Sequence, residues 1–288
     1  MNALRAELSR RVRDNLRDGA SHLARIALAS LAEYADVTAD DADALRGELL
    51  DFADELAATR PSMTAIHNLV ARWRAGVADF EGDLPALRDY ARQQAHEVRV
   101  WADGASDATQ RAAITVLAER PRLLTHSISS TITAILLRMQ GQGVSAVVTE
   151  SRPALEGWNL AATLGRAGVP VTYITDAQAG LFVDSVDAVI IGADAILADG
   201  AVVNKVGTRL IALAAREAGT PFYVCAESFK CTEQTREDVV LEEKSGSELR
   251  PPPVPGLRTR NVYFEVTPPE LITDWVSNED LARRFGRS

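Results

Sequence analysis

The chain has 288 residues, 47% of them hydrophobic, which is enough for one large domain or two ordinary ones. No apolar run approaches the roughly 18 to 20 residues needed to cross a bilayer, and a net charge of −9 argues against direct binding to nucleic-acid backbones. The two cysteines, Cys225 and Cys231, give neither a metal-ligand spacing nor a disulfide framework, and Cys225 reads as a small buried hydrophobe. Only Lys205, Lys230 and Lys244 are lysines, against 28 arginines. That bias fits a GC-rich genome and a salt-adapted surface equally.

The opening MNALRAELSRRVRDN is a charged helical pattern, not a signal peptide, which predicts a cytoplasmic protein with no membrane contact. Residues 1–105 read as all helix. Leu23, Ile26, Ala27, Leu31 and Tyr34 follow three-four spacing after a break and cap at Gly19-Ala20-Ser21. A helix over 41–59 starts at Thr38 or Asp40, and Arg60-Pro61-Ser62 opens the next, which carries Ile66, Leu69, Val70 and Trp73. Another covers 84–101. Composition changes near Asp103-Gly104-Ala105-Ser106, which sets the boundary of a second domain, 106–288. A short helix over 107–119 leads into it.

From there strands alternate with helices, the grammar of a Rossmann-like parallel sheet. Strands are predicted at 122–125, 144–148, 169–174, 186–191 and 222–226, with a last one at 261–266. Helices are predicted at 128–140 and 155–167, from Asp176-Ala177, between the strands at 186 and 222 with Leu210, Leu213 and Ala214 as apolar positions, and from Pro269. The segment 242–257 is a Pro-, Gly- and charge-rich loop, the segment expected to be most mobile. There is no G-x-G-x-x-G and no P-loop lysine, so an ordinary dinucleotide or Walker-type site is not expected, nor is a cofactor or metal.

The polar residues gather where strands end, the place where ligands bind in open α/β sheets. Asn204-Lys205-Val206-Gly207-Thr208 has the parts of a phosphate site at a helix start: free N–H groups, side-chain donors, one full charge and a glycine for close approach. It is equally a capping turn with a solvated lysine. Asp194 follows an apolar strand and reads either as a proton-transferring carboxylate or as a turn cap. His126 and Ser127 are neighbours on an extended segment and point to opposite faces, so they make no hydrolase triad. His22, His67 and His96 lie on predicted helices without metal spacing and read as structural. Arg152, after the second strand, either clamps a phosphate or pairs with Glu150.

Taken together these segments resemble one family, which unites the alpha, beta and delta regulatory subunits of translation initiation factor 2B with two sugar-phosphate isomerases. Those isomerases act on methylthioribose-1-phosphate and ribose-1,5-bisphosphate. The matching pieces are Leu124-Thr125-His126-Ser127, Thr149-Glu150-Ser151-Arg152-Pro153, Gly192-Ala193-Asp194, Asn204-Lys205-Val206-Gly207-Thr208, Ala226-Glu227-Ser228-Phe229-Lys230 and Val266-Thr267-Pro268-Pro269-Glu270, with Asp18-Gly19-Ala20 and Arg60-Pro61-Ser62 in the helical half. The resemblance implies an N-terminal helical domain, a C-terminal Rossmann-like domain, a ligand cleft between them and a dimer or larger homo-oligomer. It implies Asp194 and, were the chain active, Ser127 as catalytic residues. Arg60, Arg152, Glu156, Asn204, Lys205, Gly207 and Thr208 are the implied ligand- or phosphate-binding residues.

Three positions depart from the isomerase pattern. Ser127 stands where those enzymes carry cysteine, and an isolated serine hydroxyl does not ionise usefully without a strong base. Glu156 replaces a phosphate-contacting glutamine, and Asp18 replaces an arginine. A carboxylate about 4 Å from a phosphate costs on the order of 4 kcal/mol per charge pair at an effective dielectric near 20. The expected function is therefore a non-catalytic, factor-2B-alpha-like regulatory protein that binds a sugar phosphate or nucleotide, with a translation initiation factor as a further partner. An aldose–ketose sugar-phosphate isomerase and a purely structural subunit are the alternatives.

Overall fold

A computed structural model describes residues 3–15 and 19–286; Asp18 lies outside them. The chain divides into two compact units between Ser106 and Asp107.

The first unit is helical: α1 (Ala3–Arg13), α2 (Ala20–Tyr34), α3 (Ala42–Ala58), α4 (Thr64–Ala78) and the first part of α5 (Leu84–Leu117). The stripe Leu23, Ala27, Leu31 and Tyr34 is fully buried, as its spacing requires. Tyr34 packs on Phe52 with ring centroids 4.5 Å apart, and the Trp73 indole donates to the Ala91 carbonyl at 2.9 Å. Asp41, rather than Thr38 or Asp40, caps α3 by accepting the Ala44 N–H at 2.8 Å. Pro61 sits in a turn, and α4 begins three residues later at Thr64. The two helices expected at 84–101 and 107–119 are one helix of 34 residues. Gly104 lies inside it; a single helical glycine costs only about 1 kcal/mol relative to alanine and does not by itself end a helix.

The second unit is built on a six-stranded parallel sheet in the order β3-β2-β1-β4-β7-β9. Its strands are β1 (Arg122–Thr125), β2 (Ser145–Thr149), β3 (Val171–Ile174), β4 (Ala188–Ile191), β7 (Phe222–Cys225) and β9 (Asp274–Val276). Alternate residues feed two apolar layers. Leu124, Val189, Ile191 and Val224 face one layer with Ile211 and Trp275. Leu123, Ala188, Ile190 and Tyr223 face the other with Ile132, Ile135 and Leu160. The first layer is covered by α9 (Thr208–Ala218) and α10 (Leu281–Arg284) with the one-turn α8 (Ala179–Phe182); the second by α6 (Ser130–Arg138) and α7 (Glu156–Arg166). Both faces are covered, as an all-parallel sheet demands.

Three features depart from the sequence reading. Asn204 and Lys205 do not start a helix. They end a buried strand, β6 (Val202–Lys205), in a second, antiparallel sheet with β5 (Ala195–Ile196) and β8 (Phe264–Thr267). The strand expected to be last is this β8. The parallel sheet is completed by β9, three residues long, and Pro269 opens only a short 3-10 turn. On α9 the buried face is Thr208, Ile211, Ala212 and Ala215, while Leu210 and Leu213 are 71% and 45% exposed. Among the described residues no helix is long and apolar enough to span a membrane.

The assignment of the α9 face is testable. Ile211→Ala is expected to cost about 2–4 kcal/mol in chemical denaturation, and Leu210→Ala less than about 0.5. Equal costs would show that the helix is rotated from the orientation described.

Candidate functional site

Numbered within the parallel sheet alone, the strand order is 3-2-1-4-5-6. It reverses between β1 and β4, and ligands of such sheets bind in the crevice outside the carboxyl ends at that point. Thr125-His126-Ser127 leaves β1 there, Ser151 and Glu156 follow β2, Asp194 follows β4, and Lys205 ends β6.

Ser127 is held in a left-handed conformation, φ 64°, and its N–H donates to Ser151 Oγ at 2.6 Å. Ser151 is itself left-handed, φ 60°, fixed by the Asp176 carboxylate, which accepts the Ser151 and Arg152 N–H groups at 2.8 Å each. Leu155, φ 58°, precedes α7. These are three of the four non-glycine residues with positive φ among the described residues, and each such conformation costs on the order of 1 kcal/mol or more that the surroundings must offset. Gly157 lets α7 start against β2: a Cβ there would lie 1.8 Å from the Thr149 carbonyl oxygen.

This arrangement brings three predicted site residues together. Ser127 Oγ donates to Glu156 Oε2 at 3.2 Å, and Lys205 Nζ sits 2.9 Å from Glu156 Oε1. The Lys205 and Glu156 side chains are only 4% and 13% exposed. The lysine ammonium also lies 4.0 Å from the ring centroid of Tyr263 and 5.5 Å from that of Phe264. The pair is thus an ion pair within a largely desolvated corner, where breaking it leaves an uncompensated charge.

The other predicted residues are placed as follows. The Asp194 N–H donates to the Val203 carbonyl at 2.9 Å, on the extension of the β5–β6 ladder next to Asn204. Gly192 approaches Ser129 so closely that a Cβ would lie 2.5 Å from its Oγ, which makes the segments carrying Asp194 and Ser127 neighbours. Several donors at the 204–209 turn are met by protein groups. Gly207 and Arg209 N–H donate to Glu265 Oε1 at 2.7 and 2.9 Å, Thr208 Oγ1 donates to the Lys205 carbonyl at 2.7 Å, and Asn204 Nδ2 donates to Thr208 Oγ1 at 3.2 Å. Arg152 forms no ion pair with Glu150 among the described residues. Arg60 lies in the helical unit, buried, with Nη1 donating to the Asn15 carbonyl at 3.1 Å.

His126 is fully enclosed. Its Nε2 is 2.9 Å from the Val206 carbonyl and therefore carries the proton, leaving Nδ1 to accept from Thr149 Oγ1 at 2.6 Å. Both ring nitrogens are committed away from the Ser127 hydroxyl, so the two do not form a nucleophile–base pair. Burial lowers the histidine pKa from its ordinary 6.5, against smaller opposing effects of the Val206 carbonyl and Asp176. Neither cysteine supplies a thiolate: burial pushes Cys225 up to about 12 and Cys231 up to about 11. Sequence reasoning missed Tyr263 and Phe264 over Lys205, Glu265 at the start of α9, and Asp176 under Ser151. The alternation of Tyr263 and Glu265 within the predicted 261–266 strand was the available signal for two of them.

A neutral buried histidine makes stability depend on pH. Below about pH 6.5 the unfolded chain takes a proton that the folded chain refuses, so stability falls with pH from there down to the lowered native value. Between pH 7.5 and 5.5 this contributes a loss of stability as the pH falls. Denaturation at both pH values should show a smaller loss in His126→Asn than in the parent; an identical loss would place the titration elsewhere.

The sequence profile of the initiation factor 2 subunit family matches residues 16–280. The chain is 32% identical over 273 residues to ribose 1,5-bisphosphate isomerase of Archaeoglobus fulgidus, covering 92% of this chain and 85% of that protein. It is 32% identical over 270 residues to methylthioribose-1-phosphate isomerase of Syntrophotalea carbinolica, covering 86% and 78%. Among solved structures, translation initiation factor eIF-2B of Pyrococcus horikoshii OT3 matches with a TM-score of 0.84 at 30% identity, covering 96% of each chain. By sequence and by fold, the chain belongs to the initiation factor 2 subunit family.

Proposed function

We propose that this chain is a non-catalytic, regulatory member of its family, similar to the alpha subunit of translation initiation factor 2B. It binds a small phosphorylated sugar or a nucleotide at the carboxyl ends of β1, β2, β4 and β6. The observation that carries this reading is the state of Ser127. Its hydroxyl is a donor to a carboxylate, and that carboxylate is already held by an ammonium. A carboxylate so paired is too weak a base to draw a proton from an alcohol, and neither His126 nor a cysteine stands in for it. The chain works as a homo-oligomer alongside a translation initiation factor. Leu181 on α8 and Leu210 on α9 are 73% and 71% exposed, apolar surface that self-association would cover.

A second reading, an aldose–ketose sugar-phosphate isomerase, is favoured by Asp194 beside the Ser127 segment and by the 32% identity to two such enzymes. Asp194 would then move the proton between neighbouring carbons of the opened sugar.

Purified chain incubated with ribose-1,5-bisphosphate or methylthioribose-1-phosphate is expected to form no ketose product. Turnover at ordinary enzyme rates, about 1 per second or faster, refutes the regulatory reading. Should activity be found, Asp194→Asn should reduce it by about a hundredfold or more; unchanged activity removes Asp194 from the mechanism. Thermal unfolding against a panel of sugar phosphates and nucleotides tests binding itself. A ligand at a hundred times its Kd raises stability by about 2.7 kcal/mol, whereas a chain acting as a structural subunit alone would show no shift with any of them.

A further inference from the structure

Two protein carboxylates occupy cationic or N–H-rich positions of the kind that can hold an anion. Glu156 Oε1 lies 2.9 Å from the Lys205 ammonium, and Glu265 Oε1 takes the Gly207 and Arg209 N–H groups at the start of α9. The remaining neighbours of Lys205 include the ring faces of Tyr263 and Phe264, which suit a cation and offer nothing to a second anion. This corner of the site is therefore electrically balanced from within. Its open capacity is of the opposite kind. Among the described residues Glu156 Oε2 accepts only the long 3.2 Å bond from Ser127 and keeps lone-pair capacity for another donor. Glu156 is also the more solvent-accessible member of the pair, 13% against 4% for Lys205. The acceptor is thus the less deeply buried partner of the pair.

We propose that Glu156 is a specificity-determining residue: it accepts a ligand hydroxyl and turns away a phosphate. The ligand class is then a sugar monophosphate bound with its unphosphorylated, hydroxyl-bearing end toward the Lys205–Glu156 pair. A bisphosphate would place a second dianion against the Glu156 carboxylate or force that carboxylate off its lysine. This inference rests on the ligand-binding reading above and narrows it.

The test is calorimetric titration of the full chain with ribose 5-phosphate and with ribose 1,5-bisphosphate, in parent and in Glu156→Gln. The parent is expected to bind the monophosphate at least tenfold more tightly, and the amide variant, which frees Lys205 of its counter-charge, to lose or reverse that preference. Equal or tighter bisphosphate binding by the parent overturns the filter while leaving the ligand-binding reading intact. Binding of neither sugar by the parent overturns both. The parent comparison decides even if the variant fails to fold, and a folded variant with an unchanged preference overturns the assignment to Glu156.

Discussion

The ion pair between Lys205 and Glu156 is the interaction on which the site depends. It joins the end of β6 to the first residue of α7, and through Glu156 Oε2 it reaches Ser127 beyond β1. Taking two charges out of water is costly, and removing one partner of a buried pair typically destabilises by about 3–5 kcal/mol. The pair therefore constrains everything around it. β6 must deliver its lysine under the Tyr263 ring, α7 must begin close enough to β2 to present Glu156, and the segment after β1 must turn sharply.

The backbone shows how those demands are met. Gly157 permits the close approach of α7, and the unusual conformations of Ser127 and Ser151 are held by a short hydrogen bond between them and by Asp176 below. His126 ties the same turn to β6 by bonding Thr149 on one side and the Val206 carbonyl on the other. The strained conformations cluster at the carboxyl ends of β1 and β2, next to the point where the sheet order reverses. What is fixed here is a hydroxyl in a hydrogen bond with a neutralised carboxylate. Under the regulatory reading proposed above, a rigid acceptor-and-donor corner of this kind holds a ligand without generating a nucleophile.

Much of the fold was legible in the chain. The runs at 122–125 and 222–226 are short, apolar and closed by polar residues, and they coincide closely with β1 and β7. The stripe from Leu23 to Tyr34 gave α2. What escaped had a physical reason. β5 and β9 have two and three residues, too few to display a period. β6 ends in a buried Asn-Lys pair that looks like a helix start, because the lysine's partners are far away in sequence. Leu210, Leu213 and Ala214 are the apolar positions the sequence singles out on α9, whereas the face containing Ile211, Ala212 and Ala215 is the one that is buried. Ser127, Glu156 and Lys205 each stand out in the sequence as candidate site residues. That the lysine already holds the glutamate is a fact of tertiary structure.

A double-mutant cycle on this pair is the most direct measurement, using Lys205→Met, Glu156→Gln and the double variant, each followed by chemical denaturation. If the pair holds the site together, each single change is expected to destabilise strongly, and the double variant should recover at least about 1 kcal/mol relative to additivity. Effects that add within about 0.5 kcal/mol would mean that the two side chains do not act as a unit, and would contradict a site organised around them.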